Sequence, residues 1–140
     1  MLKPNIKCHK IGNNYSLPHF FVLSRGLNSG KPSKTPWVNS FVCLCNDEAE
    51  MDFHYLLLFG LWKAKYFHQF LVGSVIPLIR LGDLYSIIKR QGEAIKLNQS
   101  EYMNTISKIK FIEEKEAEMQ KNLVLLQNLK RALINCYIKK

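Results

Sequence analysis

From Asn98 to the C-terminus the sequence runs for about forty residues without a glycine or a proline. No other feature constrains the fold as tightly. A helix of that length is roughly 60 Å long at 1.5 Å rise per residue. A globular core built from residues 1–92 is narrower than that. Ile109, Ile112, Met119, Leu123, Leu126, Leu133 and Tyr137 follow a 3-4 heptad spacing, with Glu116 and Lys130 at two seam positions and charges on most of the remainder. Such a stripe must pack on something. Asn98 with Glu101 forms an N-terminal capping pair for it. The expected organisation is therefore a small α/β (α+β) domain over 1–92 and a long amphipathic, coiled-coil-like helical arm over 93–140. The arm folds back on the domain or pairs with another chain, most simply an antiparallel second copy.

Charge bears on the partner. Across 140 residues the formal net charge is +9, with 47% hydrophobic and 22% charged residues, an ordinary globular composition. Lys3, Lys7, Lys10, Arg25, Lys31 and Lys34 precede any acidic residue; Asp47, Glu48, Glu50 and Asp52 then arrive together. An acid-free opening third points to an anionic partner, with nucleic acid first among candidates. The opening "MLKPNIKCHKIGNN" lacks an apolar signal region, and the longest apolar run, "YLLLFGLW", is too short to span a bilayer. The expectation is a cytoplasmic protein with no membrane role and reduced cysteines.

Within the first domain, "HFFVLS" and "WVNSFVCLC" read as strands, the second central because apolar residues occupy both of its faces. Between them "SRGLNSGKPSKTP" looks like a phosphate-cradling loop, but three residues separate Gly26 from Gly30 where four are needed, and Pro32 follows Lys31. Nucleotide binding is rejected. A buried helix starts at Asn46 or Asp47, where the acids of "DEAEMD" suit the positive end of the helix dipole, and is read through "FHYLLLFGLWKAKYFHQFL". Its apolar band is wide, with Phe59 and Trp62 in the core beside Gly60. Val75–Ile79 reads as a short edge strand, and Asp83 as the cap of a short helix that Gly92 ends.

Catalytic patterns are absent: there is no G-x-S-x-G, no H-E-x-x-H and no paired carboxylates. Cys8 and His9 are only sequence neighbours. His54 and His68 lie too far apart along one helix to share a ligand and read as surface or half-buried histidines. Cys43 and Cys45 share one strand face, but without a C-x-x-C pair they read as buried thiols and no metal site is expected. The chain reads as a non-enzyme without cofactors.

The stretch "KYFHQFLVGSVIPLIRLGDLYSII" followed by a heptad helix ending "LLQNLKRALINCYIKK" resembles the specificity subunits of type I restriction–modification systems. There a recognition domain closes with a helix, a G-S/T turn, a short strand and an I-x-x-x-D-L step before a long helix that often ends L-x-x-L-K-x-x-L. The matching residues are Gly73, Ser74, Ile79, Asp83 and Leu84, then Leu126, Leu129, Lys130 and Leu133, over roughly residues 53–140. The earlier half, with "FVLSRGLNSGKPSKTPWVNSFV" and "GLWKAKYFH", also looks like a small uncharacterised bacterial family. The resemblance implies a miniature half-subunit that binds double-stranded DNA, dimerises through its arm and docks with a methyltransferase or a specificity subunit. The DNA contacts expected are Arg25, Asn28, Ser29, Lys31 and Lys34 from the loop, with Lys10, Lys63, Lys65 and Arg80 extending the basic face. The alternative is a protein-interaction module acting through its arm without nucleic acid.

Overall fold

The computed structural model describes residues 4–139. The chain has mixed α/β architecture: a four-stranded antiparallel sheet and three helices, the last of them long. By internal contacts it divides into two compact units, the first running to Ser100 and the second from Glu101.

The sheet consists of β1 (Asn5–Cys8), β2 (His19–Leu23), β3 (Pro32–Ser33) and β4 (Ser40–Leu44), in the spatial order β1-β4-β2-β3. β4 is central. It pairs with β1 in the register Ile6↔Cys43 and with β2 in the register Phe20↔Cys43. Two-residue alternation then sends Phe41 and Cys43 of β4, Cys45 just after it, and Phe20 and Val22 of β2 into the main core. On the opposite face Phe21 meets the rings of His9 and His19 at 4.8 and 5.4 Å.

α1 (Glu48–Lys63) begins where expected. Asp47 Oδ1 accepts the Glu50 N–H at 2.7 Å, and Glu50 Oε2 accepts the Asn46 N–H at 3.0 Å, so two orphan donors are satisfied. The helix buries Phe53, His54, Leu57, Leu58 and Leu61. It ends earlier than its sequence suggests. Lys65 adopts a left-handed conformation (φ 56°), and a short 3-10 helix, Tyr66–Phe70, follows. Nor are Phe59 and Trp62 core residues; both are half-buried. The core side of α1 is built instead around Leu57 and Leu58, which are fully buried.

The predicted strand at Val75–Ile79 reduces to a tight turn closed by single bridges, Val72↔Leu78 and Arg25↔Leu78. α2 (Leu81–Lys96) then packs Leu84, Ile87 and Ile88 into the core. Gly92 does not end this helix; it is buried within it. Arg90 Nη2 and Gln91 Nε2 both donate to the Tyr66 hydroxyl, at 2.9 and 3.0 Å, which ties α2 to the 3-10 helix. α3 (Gln99–Asn135) is the long helix, and Tyr137, the last heptad position, lies in the turn beyond its end. Among the described residues no helix is long and apolar enough to cross a membrane.

Candidate functional site

The loop between β2 and β3 is anchored rather than loose. Gly30 sits at φ +95°, and a Cβ there would overlap the Phe67 ring, so only glycine suits the position. Gly30 N–H donates to the Leu23 carbonyl at 2.8 Å and Gly26 N–H to the Pro77 carbonyl at 2.7 Å. The His68 Nε2–H donates to the Leu27 carbonyl at 3.1 Å, and Trp62 Nε1–H to Asn28 Oδ1 at 3.3 Å. The loop is therefore held against the end of α1 and the 3-10 helix.

That docking creates a concavity of about 360 Å³ lined by Leu27, Asn28, Trp62, Lys63, Lys65 and His68. Two ammonium groups approach the Trp62 ring, Lys63 Nζ at 4.5 Å and Lys31 Nζ at 4.8 Å, within cation–π range. Two turns earlier on α1, Lys34 Nζ lies 4.5 Å from the Tyr55 ring. Phe59 stands between, its ring 6.1 Å from that of Trp62. Tyr55, Phe59 and Trp62 are spaced i, i+4, i+7, so they share one side of the helix, and lysines from the loop, the segment after β3 and α1 cross that stripe. The period was readable in the sequence; that Lys31 and Lys34 would reach α1 was not.

The structure thus gathers Asn28, Lys31, Lys63 and Lys65, with Lys34 further along the same helix. Others of the expected DNA-binding residues lie apart from the concavity's lining. Arg25 is exposed on the segment bridged to Leu78, Arg80 lies 3.9 Å from Asp83, and Lys10 sits at a turn closed by the Asn13 N–H. Ser29 needs correcting: it is buried, and its hydroxyl donates to the Gly26 carbonyl at 2.6 Å. It holds the loop and offers nothing to a ligand.

A second cluster was not anticipated. Cys43 and Cys45 project from the end of the sheet toward His54 of α1, and one ligand atom from each lies within 4.8 Å of the others. All three are buried. Cys45 Sγ is 3.9 Å from His54 Nδ1, and Glu50 Oε1 is 4.0 Å from the same nitrogen. His54 Nε2 has no hydrogen-bond partner among the described residues. The neighbouring Cys43 thiol, with help from His54, holds the Cys45 thiol down at about 6 against burial, while the same interaction and burial push Cys43 up. Two facts in the sequence pointed here: the shared face of the cysteines, and the position of His54 three, four and seven residues before Leu57, Leu58 and Leu61, which puts the histidine on the helix's core face.

The model of a family of unknown function, DUF6943, matches residues 6–136. The chain belongs to that family. The match takes in both compact units, so the DUF6943 unit includes the basic concavity, the Cys–His cluster and the whole of α3. No curated protein matches the chain.

Proposed function

We propose that this DUF6943 protein is a non-enzymatic, cytoplasmic DNA-binding module. The observation that carries the reading is the meeting of Asn28, Lys31, Lys63 and Lys65 around Trp62, in a chain of net charge +9. Lysines on a rigid support attract phosphates and release counterions, which makes affinity steeply dependent on salt. The lysines position the duplex backbone. Asn28, already oriented by Trp62, and the exposed Arg25, apart from the concavity, are the groups with chemistry for base edges. In this reading the module plays the part of half a type I specificity subunit, with a methyltransferase or a full specificity subunit as a further partner.

The test is the triple change Lys31→Ala, Lys63→Ala and Lys65→Asn, followed by fluorescence anisotropy on duplex DNA across a salt series. Asn tolerates the left-handed backbone of position 65. The log–log salt slope should fall by about 0.9 for each phosphate that the variant no longer neutralises. An unchanged affinity and slope would remove the concavity from DNA binding.

A second reading rests on a separate observation. Ile112, Met119, Leu123, Leu126 and Leu133 are each about half or more exposed on α3, and Val124, Leu125 and Leu129 are comparably exposed. In this alternative α3 is the working surface, pairing with a second copy or with another helical protein, and no nucleic acid is involved. An antiparallel pair would bring Glu116 of one copy toward Lys130 of the other, whereas a parallel pair would set Lys130 against Lys130.

A further inference from the structure

We infer that Cys43, Cys45 and His54 form a buried binding site for a thiophilic metal ion, with zinc as the ion that fits the donor set. The argument begins with placement. Cys43 lies in the central strand and Cys45 just beyond its end, two residues on, so both thiols leave one face. His54 leaves α1 on the side packed against that face. A two-residue step on a strand and one residue of a facing helix bring two sulfurs and an imidazole nitrogen within 4.8 Å of one another.

Distances are close to what a metal needs. With Zn–S of about 2.3 Å and Zn–N of about 2.0–2.1 Å, a tetrahedral ion separates two sulfurs by about 3.8 Å and a sulfur from a nitrogen by about 3.6 Å. Cys45 Sγ and His54 Nδ1 already stand at 3.9 Å. Small rotamer adjustments, of about one ångström at most, would complete the set.

Cost points the same way. Burying a histidine with an orphaned nitrogen costs free energy, and an apolar residue of similar size would avoid it. Yet His54 is 1% exposed, and its Nδ1 is turned toward Cys45 and Glu50, where a metal would use its lone pair; Nε2, without a partner among the described residues, would keep its proton and is not satisfied by the ion. Charge is compatible with a divalent ion: two thiolates and a neutral imidazole around Zn²⁺ sum to zero, and a carboxylate added from Glu50, whose side chain is 28% exposed, leaves one negative charge at the partly solvated side of the cluster. Binding releases the thiol protons and the waters of the hydrated ion to solvent, and exchanges zinc–water bonds for two Zn–S bonds, one Zn–N bond and one Zn–O bond to Glu50; no electron moves. A fourth position falls to Glu50, one turn before His54, whose Oε1 lies 4.0 Å from Nδ1 while Oε2 keeps its bond to the Asn46 N–H. Structural zinc sites are usually four-coordinate; with Glu50 moved onto the ion beside the three clustered ligands, the set would be two cysteines, one histidine and one carboxylate. Such an ion would clamp β4 to the first turns of α1.

The exposed thiols give internal controls, since Cys8 and Cys136 lie outside the cluster. The experiment uses the full chain, reduced, incubated with Zn²⁺ or with Co²⁺ as a spectroscopic probe, desalted, and assayed for bound metal. Wild type and the Cys8→Ser/Cys136→Ser variant should each retain one equivalent of zinc, show sulfur-to-cobalt charge-transfer absorption, and melt lower after chelation. The Cys43→Val/Cys45→Val variant keeps apolar volume in the core, so it should fold, but it should hold no metal and show no charge-transfer band. Its melting temperature should be indifferent to chelator. A folded wild type that retains no zinc after desalting, gives no cobalt–thiolate band and melts identically with and without chelator would overturn the site. So would equal metal retention by the divaline variant.

Discussion

α1 and α3 are both rich in leucine, and they use it in different ways. α1 is 16 residues long and buries five of them, including the adjacent Leu57 and Leu58. α3 is 37 residues long, and among the described residues Ile106 is its one buried side chain. Composition is only part of the difference, α1 being the more apolar of the two. Leu57 and Leu58 face a sheet whose inward side chains, Phe20, Val22 and Cys43, await them. Leu123 to Leu126 belong to a unit in which no second element is available among the described residues. Apolar periodicity shows that a helix wants a partner; the partner itself depends on what else the chain supplies.

The largest expected effect sharpens that contrast directly. Leu57→Ala should destabilise the chain by about 2–5 kcal/mol in chemical denaturation, because it leaves a cavity in a packed core. Leu125→Ala, the same change at a half-exposed site on α3, should stay within about 0.5 kcal/mol. Equal losses would mean that α3 is as firmly packed as α1.

Next in size is Gly30→Ala. The left-handed backbone costs an L-residue about 1–2 kcal/mol, and overlap with Phe67 adds to it. A melting temperature lowered by several degrees, together with weaker DNA binding, would tie the loop's conformation to the concavity. An unshifted melt would mean that Phe67 yields readily.

Leu123→Glu with Leu126→Glu should leave the unfolding of the first unit almost unchanged and act on mass instead. If α3 pairs with its own copy, light scattering should report a dimer for wild type and a monomer for the variant. A wild type that remains monomeric at high micromolar concentration would end the pairing of α3 with its own copy.

The smallest effect belongs to Lys65→Asn alone. It removes one cation, and it relieves a left-handed residue at φ 56°, so stability should hold or rise by under about 1 kcal/mol while DNA affinity falls.

Much of the architecture was legible from local chemistry. Asp47 caps α1 because its short carboxylate reaches the Glu50 N–H, and strands β2 and β4 announce themselves through consecutive Phe, Val and Cys residues. What escaped notice was set by tertiary context. β1 is an edge strand in which only Ile6 is partly covered, so no alternation marks it. β3 is two residues long and contains a proline, admissible only at a sheet edge. Nothing in "KAKYFHQF" signals that Lys65 turns left-handed, since neither Gly nor Pro is present. Gly92 looked like a helix stop, yet it lies buried inside α2 between residues that keep the helix going. The candidate sites divide in the same way. Trp62, Lys63 and Lys65 share a short segment and could be named, but their meeting with Lys31 and Asn28 crosses some thirty positions of sequence. Ser29 looked like a ligand because its hydroxyl's true acceptor, the Gly26 carbonyl, depends on the turn that only the folded loop makes.

The most direct test of the account uses Trp62 as its own reporter. The chain has two tryptophans; with Trp37→Phe, the remaining fluorescence comes from the concavity itself. Titrating duplex DNA into this variant at low salt should change Trp62 emission saturably, with the same midpoint as anisotropy of the labelled duplex, and added salt should reverse both signals together. Anisotropy that rises while Trp62 emission stays flat would place DNA elsewhere on the molecule, and no rise in either signal would contradict DNA binding altogether.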